Sequence, residues 1–170
     1  FQESAMVVEM LEELLEAGFP PQTAVQMMNT ALVAGREELC FSTVDMCIFD
    51  LYQGSCELMK AGASTTFIRS SAGVEKISSA TLPVGVLQEL EIQRTSRQLG
   101  DGDFVIMVTD GVLDALPVGN QEAMLSALIG GSSINNPGEL AHYLLEQVLE
   151  MSGEVPADDM TVLAVGIWKV

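Results

Sequence analysis

Two aspartate-containing segments stand at the ends of apolar runs and are the first candidates for chemistry. Asp110 and Gly111 follow FVIMV, while Asp158 and Asp159 precede MTVLAVGIW. If the two runs pair as antiparallel strands, both carboxylate sets lie at one edge of a sheet. Carboxylates that close repel one another unless a hard cation such as magnesium, manganese or calcium joins them. The spacing is therefore compatible with a metal site, and the alternatives are an ordinary Asp-Gly turn and an Asp-Asp loop cap.

Three further segments carry polar or rigid features. Lys60, in MKAGAS, is a candidate for a phosphate contact, and Leu82–Gly85 (LPVG) for a rigid loop. Asp45 lies inside the alternating strand FSTVDMCIF, where an acid is either exposed or paired, and solvent exposure is the expected state. The segment GDGD does not fit an EF-hand, because the third alternate position is Val105, and it is predicted to be a turn.

The histidine and cysteine counts exclude several kinds of site. With His142 as the only histidine, a Ser-His-Asp triad or a histidine-rich zinc site would have to use that one ring. Helical spacing instead predicts that it lies beside glutamates on a solvated helix face. The three cysteines Cys40, Cys47 and Cys56 are odd in number and lack a CxxC spacing, which favours small core residues in a reducing compartment.

The elements that must position these residues follow from hydrophobic periodicity. Residues 3–17 repeat apolar and acidic positions at helical spacing, and a second helix is predicted from Pro21 to Gly35. From residue 43 the period changes to two, which predicts strands. Strands are predicted from residue 43 and at 56–59, 65–69, 74–77, 104–108 and 160–168, with helices at 120–129 and 138–151, while residues 90–99 alternate only weakly. This order indicates an α+β fold with helices packed on sheet.

Length and charge bound the function. A chain of 170 residues fits one domain. The net charge of −17 excludes a basic nucleic-acid footprint and argues against attraction to anionic lipid. Residues 98–168 hold eleven acids and no Lys or Arg, so an acidic surface that meets an anionic substrate needs metal cations between them. No segment resembles a signal peptide or a membrane span.

Five segments together resemble the metal-dependent protein phosphatases, the PPM or type 2C family. In order they are FSTVDMCIFDL, KAGASTTFIR, LPVG, GDFVIMVTDGVLDA and DDMTVLAV, and the resemblance that they carry covers nearly the whole chain. VTDG with DDMT is similar to the superfamily in general. FSTVD with KAGAS points to its sporulation branch, the stage II sporulation E phosphatases of endospore-forming bacteria.

The resemblance implies a β-sandwich of two antiparallel sheets flanked by helices, with two divalent metal ions, manganese or magnesium, at one edge. By motif position, Asp110 and Asp158 would be catalytic metal ligands. Asp159 stands where relatives often carry Asn and would be a further ligand, while Lys60 and Gly111 would contact the phosphate. The implied reaction is hydrolysis of phosphoserine on an anti-anti-sigma factor, which releases a compartment-specific sigma factor. At Thr65 related sequences commonly carry proline.

One departure shapes the expectation of activity. The family's first metal motif, an Asp-Gly pair ahead of the first long helix, is absent because the sequence starts at Phe1. Residues 1–170 are therefore expected to form a single, N-terminally truncated phosphatase domain whose isolated activity is feeble. The alternative is a catalytically silent regulatory or protein-interaction module of the same fold.

The leading helices and the truncated side suggest regulation and assembly. The helix pair at residues 1–35 resembles a switch, in which Met6, Met10, Met27 and Met28 repack; the alternative is ordinary core. Sheet edge exposed by truncation would allow a homodimer. The chain itself is expected to be cytoplasmic, without contact with nucleic acid or membrane, although the resemblance implies a parent anchored upstream in the bacterial membrane.

Overall fold

The computed structural model describes residues 2–35, 41–153 and 158–168. Five helices and seven strands are assigned within these ranges, in two antiparallel sheets ordered β1-β2-β5 and β4-β3-β6-β7. This confirms the predicted α+β class. The elements are α1 Gln2–Glu16, α2 Pro21–Ala34, β1 Val44–Asp50, β2 Ser55–Ala61, β3 Thr66–Ser70, β4 Gly73–Ile77, β5 Gln93–Gln98, β6 Phe104–Val108, α3 Asp110–Asp114, α4 Gln121–Gly131, α5 Pro137–Ser152 and β7 Val162–Gly166.

The chain divides into two compact units. Unit 1 comprises Phe1–Ile48, Glu57–Ala63 and Ser79–Ser96, and unit 2 comprises Phe49–Cys56, Ser64–Ser78 and Arg97–Val170. The single domain predicted over residues 1–170 stays a prediction.

Unit 1 is built around the helix pair. Pro21 begins α2 because its missing N–H is one of the donors that a first helical turn leaves without an intrahelical partner. Met28 is fully buried, whereas Met6 and Met27 are exposed, so the predicted methionine cluster divides between core and surface. The core joins the helices to strand and loop residues: Val7, Val25, Met28, Leu32, Val44, Ala61 and Val84.

Unit 2 packs helices on the four-stranded sheet. Phe67, Phe104 and Ile106 of the sheet are fully buried with Leu125 of α4 and Leu144 of α5. Asn136 caps α5, because its side-chain oxygen accepts a hydrogen bond from the Glu139 amide at 3.0 Å, and Gly153 ends the helix at a φ of 64°. The side chains of α4 and α5 thus pack on the sheet that contains β6 and β7.

Trp168, the only tryptophan of the sequence, lies two residues after the end of β7. The ring of Trp168 meets Phe104 edge to face, with centroids 5.6 Å apart. The ring also packs over Gly166, where a Cβ would lie 2.2 Å from the nearest ring atom. A side chain at residue 166 would therefore displace the indole.

Several local predictions can be compared with the elements. β6 has the predicted bounds, β7 is shorter than the predicted 160–168, and helix α3 was not predicted. His142 is exposed and pairs with Glu146 at 3.0 Å, as predicted. Cys56 is buried and Cys47 is half-buried, while Cys40 lies outside the described residues. Within the described ranges, no helix is long and apolar enough to cross a membrane.

Candidate functional site

The strand pairing in unit 2 confirms the predicted meeting of the two aspartate segments. β6 and β7 are antiparallel, with Val108 opposite Val162 in the register. Asp110 follows the end of β6 and begins helix α3, while Asp158 and Asp159 precede the start of β7. All three aspartates are exposed and lie at the same edge of the sheet.

Thr109 fixes the approach of the two segments. Its backbone N–H donates to the Thr161 carbonyl at 3.1 Å, which extends the ladder by one residue beyond β6. Its hydroxyl accepts from the Thr161 amide at 2.9 Å and donates to the Asp159 carbonyl at 3.3 Å. The threonine of VTDG is thus a positioning residue that the sequence did not single out.

Gly111 is required by this approach. A Cβ at residue 111 would lie 2.5 Å from the Asp159 carbonyl oxygen, which is backbone and has little room to move. Its backbone N–H donates to Oδ1 of Asp110 at 3.2 Å, and the Asp159 N–H donates to Oδ1 of Asp158 at 2.8 Å. One oxygen of each carboxylate is therefore oriented by the following residue.

The donor atoms suit a hard divalent cation in kind, since carboxylate oxygens are the ligands that magnesium and manganese prefer. Their number is smaller than a complete site requires. Within residues 2–35, 41–153 and 158–168, no three His, Cys, Asp or Glu side chains are grouped so that they could hold a metal ion. Asp110 and Asp158 therefore fit a metal as partial ligands, and their role stays a prediction.

Lys60, the predicted phosphate contact, lies in unit 1 and is buried. Its Nζ donates to Oδ2 of Asp45 at 2.5 Å, and the exposed fractions of the two side chains are 1% and 17%. Burial lowers the pKa of the Lys60 ammonium, and the hydrogen bond and charge of Asp45 oppose that shift. Asp45 is paired and not solvent-facing, so that expectation was wrong. The phosphate contact of Lys60 stays a prediction.

The loop at residues 81–85, which contains LPVG, contacts the backbone around Lys60. Thr81 donates its hydroxyl to the Lys60 carbonyl at 3.3 Å. Gly62 has a φ of +65°, and a Cβ there would lie 2.6 Å from the Pro83 nitrogen. The hydrogen bond from Thr81 and the close packing of Pro83 on Gly62 support the predicted rigidity of the loop.

Asn29 of α2 connects the helix pair to the same loop. This side chain is 1% exposed, accepts from the Gly85 amide at 2.8 Å and donates to the Leu87 carbonyl at 3.0 Å. The sequence contained the signal, because Asn29 falls four residues after Val25 on the apolar stripe of the helix. A polar residue at a buried helical position is expected to have a specific partner.

A second polar network, in unit 2, was also missed. The buried Thr65 donates its hydroxyl to Oε1 of Glu122 at 2.5 Å, and Lys76 binds Oε2 of Glu122 at 3.1 Å. These contacts, led by the hydrogen bond from Thr65, hold the pKa of Glu122 below its ordinary value. They join the β3–β4 pair to the first turn of α4.

Comparison with known families gives a match over nearly the whole chain. The family described as stage II sporulation protein E (SpoIIE) matches residues 2–168. Stage II sporulation protein E of Bacillus subtilis (strain 168) is 32% identical over 166 residues, which are 97% of this chain and 20% of that protein. Its counterpart in Priestia megaterium is 30% identical over 162 residues, 95% of this chain and 28% of that protein. The chain thus spans less than a third of the length of these curated relatives.

A solved structure agrees with the fold. The chain superimposes with a TM-score of 0.89 and 32% identity on the PP2C phosphatase domain and a fragment of the regulatory domain of SpoIIE from Bacillus subtilis. The superposition covers 97% of this chain and 49% of that one. The resemblance first seen in the five sequence segments therefore extends to three-dimensional structure.

Proposed function

The chain belongs to the stage II sporulation protein E family, and from this premise we propose that it forms part of the catalytic domain of a divalent-metal-dependent protein serine phosphatase. The observation that carries the proposal is the antiparallel pairing of β6 and β7, whose adjacent ends bear Asp110 and Asp158. Family membership supports the reaction class, and the carboxylate edge supports the metal dependence.

In this proposal Asp110 and Asp158 hold manganese or magnesium, with Asp159 as a further oxygen donor. Two such ions, when bound, supply an activated water and neutralise phosphoryl oxygens. The chain itself contributes orientation: Thr109 fixes the 159–161 segment against β6, and Gly111 allows the two aspartate segments to approach. Gly111 is the proposed phosphate contact at this edge, while a phosphate contact of Lys60, which is buried against Asp45 in unit 1, stays a separate prediction.

Exchange of Asp110 for Asn tests the assignment. Phosphatase activity and manganese binding are measured for the longest protein that contains this chain. Asp110→Asn is expected to abolish both, whereas Asp114→Asn, an exposed aspartate four residues along α3 with the same change in charge, leaves both unchanged. Full activity of the Asp110→Asn protein would show that Asp110 is not a ligand.

The proposed substrate is a phosphoserine on an anti-anti-sigma factor. Membership of a sporulation family supports this choice, and the acidic charge of −17 supports the need for cations between enzyme and phosphoprotein. Phosphate release from a phosphorylated anti-anti-sigma protein is compared with release from a short peptide around its phosphoserine. Equal rates of phosphate release from the protein and from the peptide would show that the enzyme does not recognise the folded anti-anti-sigma protein.

A catalytically silent regulatory module is the second candidate. It is favoured by the finding that the described residues offer no group of three metal ligands. The two candidates differ in the response to Asp158→Ala. If the protein acts as a phosphatase, Asp158→Ala is expected to abolish its effect on sigma-factor activity in cells. If it acts only by binding a partner, the variant is expected to retain that effect.

We also propose that the helix pair at residues 1–35 regulates the site and that the chain forms a homodimer. The contact from Asn29 to the 85–88 segment supports a link between α2 and the loop beside Lys60. If Met28→Ala changed stability and activity in parallel, without a separate effect on metal affinity, the regulatory role would lose support.

Light scattering tests the proposed homodimer. A strict monomer at high protein concentration would contradict it.

A further inference from the structure

Helices α4 and α5 of unit 2 leave an apolar groove between them. The groove has a volume of about 310 Å³ and is lined by Met124, Ala127, Leu128 and Gly131 of α4 and by Tyr143 and Met151 of α5. The residues of α4 recur at i, i+3, i+4 and i+7, so they form one stripe along the helix.

The groove is open at Gly131. A Cβ at this position would meet no heavy atom within 4 Å, and the backbone there does not have a positive φ. Space above a helical glycine lets a side chain or a backbone from outside approach closely. The two methionines that line the groove, Met124 and Met151, have flexible and polarisable side chains, so they can adapt to an incoming apolar surface.

The wall formed by α5 is acidic. Glu146 and Glu150 are exposed and follow Tyr143 by three and seven residues, which puts them on the same side of the helix. No Lys or Arg occurs between residues 98 and 168, so neither helix offers a lysine or arginine beside the groove. His142 pairs with Glu146 and is positive only when protonated.

We propose that this groove binds an amphipathic helix with a basic face, contributed by a partner protein. The apolar face of such a helix fills the groove in the helix-in-groove mode, and its Lys or Arg residues meet Glu146 and Glu150. The same carboxylates repel an acidic helix, so the groove selects by charge as well as by shape. The site uses none of the aspartates at the β6–β7 edge and is independent of the proposed phosphatase activity.

The probe is a synthetic peptide of leucine and lysine, with leucine at i, i+3, i+4 and i+7, and binding is measured by fluorescence anisotropy. Gly131→Leu adds a side chain to the groove at a position where a Cβ meets no heavy atom within 4 Å, and it is expected to weaken binding by about tenfold or more. Ser133→Leu, which adds the same side chain at an exposed loop position, is the matched control and binds normally.

Charge is tested with paired variants of equal net charge. Glu146→Lys with Glu150→Lys is expected to weaken binding by about fivefold to tenfold, whereas Glu9→Lys with Glu12→Lys on the exposed face of α1 changes it by less than about twofold. A leucine and glutamate peptide is expected not to bind.

Three results would overturn the proposal. The first is an equal loss in both pairs of charge variants, which would mean that only the overall charge attracts the probe. The second is equal binding of the lysine and glutamate peptides. The third is a doubled mass in light scattering that Gly131→Leu abolishes, which would show that a second copy of the chain occupies the groove.

Discussion

The Lys60–Asp45 pair of unit 1 and the aspartates at the β6–β7 edge of unit 2 place their carboxylates in opposite surroundings. In unit 1, Lys60 is buried against Asp45, and the ammonium and carboxylate compensate one another within the core. In unit 2, Asp110 and Asp158 are exposed, and each accepts a hydrogen bond from the following backbone amide. The comparison teaches that a charge compensated inside the protein serves the fold, while a carboxylate that faces solvent at a rigid edge is available to a ligand.

The largest expected effect is in unit 1. Asp45→Ala removes a carboxylate that compensates a buried ammonium, and the free energy of unfolding is expected to fall by about 3–5 kcal/mol. Urea denaturation measures it. Glu75→Ala, which breaks the exposed pair between Glu75 and Arg97, is the control and is expected to cost less than about 1 kcal/mol. Equal decreases in the free energy of unfolding for Asp45→Ala and Glu75→Ala would contradict the expected difference between buried and exposed ion pairs.

Next is the steric test of the carboxylate edge. Gly111→Ala forces a methyl group against the Asp159 carbonyl, and overpacking of this kind costs about 1–3 kcal/mol. Gly131→Ala, where a Cβ has open space in a helix, is expected to be neutral or stabilising by up to about 1 kcal/mol. Thermal unfolding measures both. An unchanged melting temperature for Gly111→Ala would mean that the two aspartate segments move apart readily.

A smaller effect is expected for the network around Glu122. Thr65→Val removes the hydrogen bond that contributes most to lowering the pKa of Glu122, and it is expected to cost about 1 kcal/mol near neutral pH. Because the folded pKa of Glu122 lies below its unfolded value, this stabilisation is complete above the unfolded pKa and is lost as the pH falls through the folded pKa.

Urea denaturation at a series of acidic pH values checks the sign. The difference in unfolding free energy between the original protein and Thr65→Val should narrow as Glu122 becomes protonated. In a Glu122→Gln background the effect of Thr65→Val should not depend on pH. A difference that widens in acid would contradict the assignment of the shift to this hydrogen bond.

The smallest effect on stability is expected at the proposed metal ligand. Asp110 is exposed, so Asp110→Asn should change the free energy of unfolding by no more than about 0.5 kcal/mol. In the longest protein that contains this chain, the same change is expected to remove manganese binding, measured by calorimetry. A loss of stability as large as that of Asp45→Ala would show that this aspartate serves the fold, and the contrast between the units would disappear.

Local patterns were enough to predict much of the fold. Phe104–Val108 is an uninterrupted apolar run between a turn and Asp-Gly, so the bounds of β6 followed directly. The placement of Asp110 and Asp158 at one sheet edge followed from one assumption, antiparallel pairing, which the register bears out. Helix α3 was missed because Asp-Gly also signals a turn, and the short helix begins at the aspartate itself.

Long-range partners were beyond local patterns. The pairing of Lys60 with Asp45 depends on the two strands lying side by side in register, and the alternation of β1 alone favoured solvent exposure. Thr65 and Glu122 are 57 residues apart, and neither lies in a motif that requires the other. Asn29 could have been predicted to be buried, but its carbonyl partner at Leu87 could not, because that loop has no periodicity.

The contact of Trp168 with Phe104 has a spectroscopic consequence. The single tryptophan and both tyrosines, Tyr52 and Tyr143, belong to unit 2, and the segments of unit 1 contain neither residue type. Intrinsic emission therefore follows unit 2 alone, while far-ultraviolet circular dichroism also records the helix pair of unit 1. Overlaid melting curves from the two signals would reveal whether the units unfold together or one after the other, without any added label.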